Sequence, residues 1–589
     1  TIGRIRGDMD DVFSHGFICP KGSTLKQLHE DPDRLRKPLI KRNGVHVEVE
    51  WDEAWAEIAG RLQDVIERHG RDAIGVYLGN PGAHSLSAML YNRTLLQGLG
   101  THNRFSASTV DQLPKQVAAG YMFGTGVSVA VPDLDRTDYL LILGANPYAS
   151  NGSVCTAPDF PGRIEAIRAR GGKVVVVDPR RTRTAEEADQ WIAIRPATDA
   201  LFLMAIVNVL FAESLVKIQD HIAVLLNGLD DVREASREFT PERVAQATGL
   251  EADVIRQVAR ELSAAKTAAL YGRIGTTTTE FGTTASWLID VVNTLTGNLD
   301  SVGGVMFTKP VLGGPTTRGT SGKGGGFRIG RGGGKTKVKG YPEVMGEYPA
   351  AAMAEEITDA GDVGIKALVT VAGNPILSTP HSRQLSDAFE KLELMISVDL
   401  YLNETTRHAD VILPVPSQLQ RDHYDVLLLQ FAIRNIANYS TAVLSLDDGQ
   451  PDEWEILAKL GMIAQGLGPN ADPHLADDLA IEGLVRNSIG DPSSPIYGRH
   501  ADEIIDLLNA DGRRGPARQG PALAREQDRR REEAGREPPR AGGAHLPADE
   551  GLGAPQGQER QDEEALRRLR REAQDRRVDP GRRGQAQRP

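Results

Sequence analysis

The sequence predicts an α/β protein built from two related, doubly wound parallel-sheet domains, one of them split in sequence. Three observations carry this. Short apolar runs of strand type alternate with longer segments of helical period. One strand–turn–helix–strand pattern occurs twice. The chain has 589 residues, more than a single core usually holds, with 40 % hydrophobic and 25 % charged residues, the balance of a globular protein.

In chain order, Asp52 to His69 reads as an amphipathic helix, with Trp55, Ile58, Leu62, Val65 and Ile66 at helical spacing. Ile74 to Leu78 is a short strand closed by a Gly79-Asn80-Pro81 turn, and Ser85 to Leu96 is a helix. A strand at Tyr139 to Leu143, a helix at Gly162 to Arg170 and a strand at Lys173 to Val177 follow, and Asp199 opens a helix to about Glu213. Val311 to Val338 is rich in Gly, Arg and Lys and reads as a long loop, after which strands and helices alternate again from Ala367 to about Pro414.

The repeat is the strongest structural signal. Leu140 to Pro147 is a strand ending in Gly144-Ala145-Asn146-Pro147, and Leu368 to Pro375 ends in Ala372-Gly373-Asn374-Pro375. Each is followed by a helix and a second strand that ends in an aspartate, Asp178 or Asp399. An Ala-Asp pair then follows at the same spacing, Ala188-Asp189 and Ala409-Asp410. Ligands of open α/β sheets sit beyond the carboxyl ends of the strands. There a small turn residue lets backbone N–H groups approach a phosphate, the next helix N-terminus favours its charge, and the aspartate accepts from a ribose or a guanine edge. Two such half-sites imply two nucleotide-like moieties or one long ligand spanning both.

Composition excludes other classes. A net charge of −12 argues against nucleic-acid binding, and no apolar run is long enough to span a bilayer. Two cysteines, Cys19 and Cys155, cannot make a disulfide framework, so a reducing, cytoplasmic setting is the expectation. The chain starts at Thr1, so an export signal cannot be read from it. From Arg513 to Pro589 only residues with codons that begin with G or C occur. In a GC-rich gene that is the mark of a one-base frameshift, and the segment 513–589 is expected to be a disordered, out-of-frame tail.

The chain resembles the molybdopterin oxidoreductase family, which includes formate dehydrogenases, nitrate reductases and dimethyl sulfoxide reductases. The residues that carry the resemblance are Gly16-Phe-Ile-Cys19-Pro-Lys21-Gly22, Trp51-Asp-Glu-Ala, Gly144-Ala-Asn-Pro, Val177-Asp-Pro-Arg180-Arg-Thr182, Arg195-Pro-Ala-Thr198-Asp199, Leu295-Thr-Gly297-Asn298, Ala372-Gly-Asn-Pro, and Asn403-Glu-Thr-Thr-Arg-His408-Ala-Asp410-Val-Ile-Leu-Pro. The resemblance implies molybdenum or tungsten held by two molybdopterin guanine dinucleotides, with a [4Fe–4S] cluster in the intact protein. It also implies an organisation: residues 1–50 as the remnant of an iron–sulfur domain, 51–133 with 340–511 as a split dinucleotide-binding domain, 134–307 as an inserted one, and 308–339 as a Gly-rich loop. A final barrel-like domain that the family carries is expected to be missing.

By the same resemblance, Gly144, Asn146, Pro147, Asp178, Arg180, Thr182, Thr198 and Asp199 contact one arm of the cofactor. Gly373, Asn374, Pro375, Asp399, Thr405 and His408 contact the other. Cys19 stands where the family places the fourth cluster ligand, the other three being expected upstream of Thr1, and Lys21 where it places a lysine between cluster and pterin. Taken alone, Cys19 reads as a core residue and Lys21 as a solvated cation. Cys155 reads as structural.

The family supplies one protein ligand to the metal from the loop after the helix Ser85 to Leu96, and counting along Gly100 to Gln112 places it at Asp111. A carboxylate is a suitable hard ligand. Ser108 and Ser106 are the alternatives, and the competing role for Asp111 is the cap of the following helix. No cysteine lies in this loop, which counts against a formate dehydrogenase of the usual kind. His408 and His423 are also candidates for acid–base work. In the Gly-rich run, Lys323, Arg328 and Arg331 either close over an anion or sit in a flexible surface loop.

The functional expectation is two-electron or oxygen-atom transfer on a small substrate, with an electron partner that is ferredoxin-like or a membrane subunit. The alternative is a metal-free electron-transfer or scaffold subunit of a respiratory complex with the same fold.

Overall fold

In the computed structural model the described residues are 2–310, 327–492 and 494–510. Most of the Gly-rich segment, including Lys323, and the whole 513–589 segment lie outside them.

The strands, in chain order, are β1 (Leu39–Arg42), β2 (Val45–Glu48), β3 (Ile74–Leu78), β4 (Arg104–Ser106), β5 (Val131–Pro132), β6 (Tyr139–Leu143), β7 (Lys173–Val177), β8 (Gln190–Ile192), β9 (Ala268–Gly272), β10 (Val305–Met306), β11 (Ala367–Val371), β12 (Leu394–Val398) and β13 (Val411–Leu413). They form two main sheets and a small β5–β10 ladder.

The larger sheet has seven strands in the order β2-β1-β13-β12-β11-β3-β4. It draws β3 and β4 from one end of the chain and β11 to β13 from far downstream, all parallel. The β1–β2 hairpin adds antiparallel to β13, with Leu39 opposite Ile412, a pairing that the sequence reading did not foresee because the partners lie far apart in sequence. The smaller sheet has four parallel strands in the order β8-β7-β6-β9. Sequence and structure agree on a mixed α/β fold with parallel sheets.

The strands read as near-continuous apolar runs because helices cover both faces. All five residues of β6, β9, β11 and β12 are buried. The helix Trp51–His69 buries Trp55, Ile58, Leu62 and Val65 on the larger sheet, beside the helices Leu86–Leu99 and Glu453–Ala464. The helix Asp199–Ala212 lies against the smaller sheet. A third cluster joins the two units: Leu140, Ile142, Val174 and Val176 of the smaller sheet meet Leu86, Phe431 and Ala432. Each such side chain contributes about 1.5–3 kcal/mol on burial, so the units are held in fixed register and the ends of their sheets are positioned for a site.

Candidate functional site

The two copies of the sequence repeat share one hydrogen-bond pattern. After β6, Gly144 turns at φ +54°, and after β11, Ala372 turns at φ +50°. Asn146 and Asn374 follow, each leading a one-turn helix, Pro147–Ser150 or Pro375–Ser378. The Thr184 hydroxyl donates to Asn146 Oδ1 at 2.7 Å and accepts from Tyr148 N at 3.2 Å. The Thr405 hydroxyl donates to Asn374 Oδ1 at 2.7 Å and accepts from Ile376 N at 3.2 Å. Asp189 and Asp410 brace the next strands by accepting from Val174 N and Met395 N. Each turn is thus locked from the loop that follows the neighbouring strand. Thr184 is absent from the sequence-derived set, although it follows Asp178 at the spacing by which Thr405 follows Asp399.

The strand-end carboxylates sit beside these turns. Asp178 Oδ1 accepts from Arg180 N at 2.8 Å, and burial raises its carboxyl above the usual range. Asp199 lies close to it; burial, with the charge of Asp178 adding, pushes the Asp199 carboxyl up to about 6. In the other copy, Asp399 Oδ1 accepts from Leu400 N at 2.7 Å and Tyr401 N at 3.2 Å, and burial pushes it to about 6. Half-buried carboxylates at strand ends, with acceptor capacity left over, suit N–H or O–H donors of a ligand.

Two other expected contacts, Thr182 and Thr198, bond to nearby backbone instead. Thr182 caps the turn Arg183–Glu186, and the Thr198 hydroxyl bonds to Arg195 O. The Arg180 side chain is exposed. His408 lies 3.1 Å from Ser386 Oγ and edge-on to Phe389, with burial lowering its pKa. His423 is held by paired backbone bonds to Ser440, and burial lowers its pKa as well.

The carboxyl ends of the two sheets face each other through the Asp111 loop. Asp111 follows β4, and its carboxylate lies 3.8 Å from the guanidinium of Arg273, which follows β9. The Thr277 hydroxyl donates to Asp111 O at 2.6 Å. Burial raises the Asp111 carboxyl, with Arg273 opposing. The competing role of Asp111 as a helix cap does not hold. Gln112 is the residue that precedes the helix Leu113–Phe123, and no side chain caps it. Pro114 lies in the first turn, where its missing N–H needs no cap.

Ser106 and Ser108 are engaged with an acid that sequence reasoning missed. Their hydroxyls lie 2.6 Å apart, and Glu347 Oε2 accepts from Ser106 at 2.6 Å and from Ser108 at 3.1 Å. Burial raises the Glu347 carboxyl, with both serine bonds opposing. Glu347 returns to this loop across the Gly-rich segment, so no local pattern announces it.

Cys19 is half-buried before the turn Pro20–Ser23, and Lys21 is exposed. Cys155 is buried, its thiol pushed up to about 12. Among the described residues no group of three or more His, Cys, Asp or Glu side chains could hold a metal ion, and no helix is long and apolar enough to cross a membrane.

The paired half-sites coincide with a family match. The model of the molybdopterin oxidoreductase family matches residues 34–423. The chain belongs to the molybdopterin oxidoreductase family. Its relatives include the F420-dependent formate dehydrogenase 2 subunit alpha of Methanococcus maripaludis, 26 % identical over 86 % of this chain and 71 % of that protein. A nitrate reductase of Symbiobacterium thermophilum is 28 % identical over 78 % of this chain and 62 % of that protein. Formate dehydrogenase H of Escherichia coli is 28 % identical over 76 % and 63 %. The chain therefore spans 62 to 71 % of the length of these three relatives. Among solved structures, acetylene hydratase from Pelobacter acetylenicus shares the fold, with a TM-score of 0.63 at 21 % identity over 78 % of this chain and 66 % of that one.

Proposed function

We propose that this chain is the catalytic core of a molybdenum- or tungsten-dependent oxidoreductase that carries out two-electron or oxygen-atom transfer on a small substrate. The observation that carries the reading is the bond-for-bond repetition of the half-site at Asn146–Thr184 and Asn374–Thr405, at sheet ends that face each other across Asp111. A cofactor with two nucleotide arms and one reactive centre has that symmetry.

The residues fit the dinucleotide arms. Half-buried Asp178 beside buried Asp199, and half-buried Asp399, offer acceptors at the two sheet ends. Asp111 fits as the single protein ligand between them. When bound, the cofactor would supply the two-electron chemistry. The chain binds the arms, orients them through the two locked turns, and holds a cationic guanidinium beside Asp111. The described residues do not fit a four-thiolate cluster: Cys19 and Cys155 are the two cysteines, and Cys155 is buried away from any metal group. An electron-transfer partner belongs to the proposal, in keeping with relatives named as subunits of F420-dependent formate dehydrogenases.

The test is cofactor retention. Asp178→Ala and Asp399→Ala, made in the full-length protein, each leave a ligand donor unpaired at about 1–3 kcal/mol, a roughly 5- to 150-fold loss of affinity. Both purified variants are expected to hold less metal and less pterin than wild type. Unchanged content in both would defeat the assignment.

A further inference from the structure

Asp111 follows β4 of the larger sheet, yet the groups that fix it come from the turn after β9 of the smaller one. The Thr277 hydroxyl, on the turn Ile274–Thr277, donates to Asp111 O at 2.6 Å. Arg273 approaches the carboxylate from one side only: its guanidinium lies 3.8 Å from Oδ2, and no described cation approaches Oδ1. The Asp111 side chain is 39 % exposed and the Arg273 side chain 3 %. One end of this pair is thus open to a ligand and the other is fixed inside the protein.

Arg273 is fixed at both of its own ends. Its backbone N donates to Leu143 O at 3.1 Å, and Gly275 N donates to Gly144 O at 3.0 Å. The turn that carries Arg273 is therefore built on the turn of the first half-site, backbone against backbone. At the far end of the side chain, Nη2 donates to Ser153 Oγ at 2.7 Å. Ser153 is pinned in turn by Tyr271, whose hydroxyl accepts from Ser153 N at 3.3 Å and donates to Ser153 O at 2.6 Å. Nε and Nη1 of Arg273 are buried without a hydrogen-bond partner. A planar guanidinium held in this way keeps its direction, and out of water it attracts the oxygen anion beside it strongly.

We propose that Arg273 is a positioning residue for the metal ligand: it keeps Oδ2 of Asp111 turned toward the smaller sheet, so that the carboxylate offers the metal one oxygen, Oδ1, and not two. The proposal rests on the function proposed above, with Asp111 as the protein ligand. A carboxylate can bind a metal through either one or both oxygens, and groups behind the ligand commonly decide its orientation. Single-oxygen binding leaves one more metal position for substrate. Because the turn that carries Arg273 rests on Leu143 and Gly144, one piece of backbone sets both the seat of the first nucleotide arm and the direction of Asp111.

The experiment is X-ray absorption and electron paramagnetic resonance of the metal in the full-length holoenzyme, as wild type, Arg273→Met, Arg273→Lys, Ser153→Ala and Asp111→Ala. Metal and nucleotide content are measured in each sample. Arg273→Met removes the charge and frees Oδ2. It is expected to add about one oxygen to the metal's nearest shell and to shift the Mo(V) or W(V) spectrum, at unchanged metal and nucleotide content. Arg273→Lys, which keeps the charge without the fork, is expected to lie between wild type and Arg273→Met. Ser153→Ala, the mildest change, is expected to shift the spectrum in the same direction. Loss of metal or nucleotide from the Arg273 variants would overturn the proposal, since the arginine would then hold the cofactor itself. So would a lysine variant further from wild type than the methionine one. Signals that change in Asp111→Ala but in neither Arg273→Met nor Ser153→Ala would defeat this proposal alone. Metal signals indifferent to Asp111→Ala would defeat the ligand assignment beneath it, and a wild-type protein without metal would defeat the proposed function as well.

Discussion

Glu347 is expected to hold the Asp111 loop in place, and its removal gives a signed, measurable effect. Glu347→Ala deletes the bonds of 2.6 Å from Ser106 and 3.1 Å from Ser108. At about 1 kcal/mol each, with a further share for lost packing, local opening of the loop becomes easier by about 2–3 kcal/mol, roughly 30- to 150-fold. Glu347→Gln keeps the shape and an acceptor but cannot ionise. Burial holds the wild-type carboxyl above its ordinary value of 4.5. As pH rises past that value, the unfolded chain releases this proton while the folded chain keeps it. Wild-type stability therefore falls from there until the folded group also ionises. The glutamine variant escapes this loss, so it gains on wild type as pH rises. Hydrogen exchange of residues 104–111 and 344–350, corrected for intrinsic rates, is the assay. Wild-type protection in Glu347→Ala would refute the reasoning, as would equal loss of protection in both variants at every pH.

Asp111→Ala is expected to keep fold, metal and nucleotide in the full-length holoenzyme while altering the Mo(V) resonance spectrum and the metal's potential, because an anionic oxygen has left the metal. An unchanged spectrum with near-normal activity would move the assignment to Ser108. Thr184→Val and Thr405→Val are expected to destabilise their turns by a similar amount, about 1–2 kcal/mol each, because the two hydroxyls make the same pair of bonds. Chemical denaturation or hydrogen exchange checks this, and a difference of more than about 1 kcal/mol between them would break the equivalence of the half-sites. Gly144→Ala is expected to displace the first turn, since a Cβ there would lie 2.8 Å from the Gly275 backbone at a positive φ. An undisturbed turn in the variant's crystal structure would contradict that.

The strands Ile74–Leu78, Tyr139–Leu143 and Lys173–Val177 are readable to the residue, because each is a short, mostly apolar run bounded by polar or glycine residues. The paired turns were readable because they repeat, and the repeat extends to side-chain bonds that the motif only hinted at. Thr184 is legible through its spacing from Asp178, whereas Thr182, the residue the motif singles out, caps a turn instead. Glu347 and Arg273 are not legible. Each matters through partners far away in sequence, and a lone charged residue in a helix or beyond a strand reads as a solvated one. The β1–β2 hairpin escaped for the same reason, its partner strand lying hundreds of residues downstream.

The central claim is that the two half-sites hold the two nucleotide arms of one metal cofactor. Its most direct test is to release and quantify nucleotide from the purified full-length protein and to measure molybdenum and tungsten in the same sample. About two guanine nucleotides are expected for each metal ion, and about one metal ion for each chain. Less than about a tenth of an equivalent of either metal, or nucleotide at about one for each metal, would contradict it.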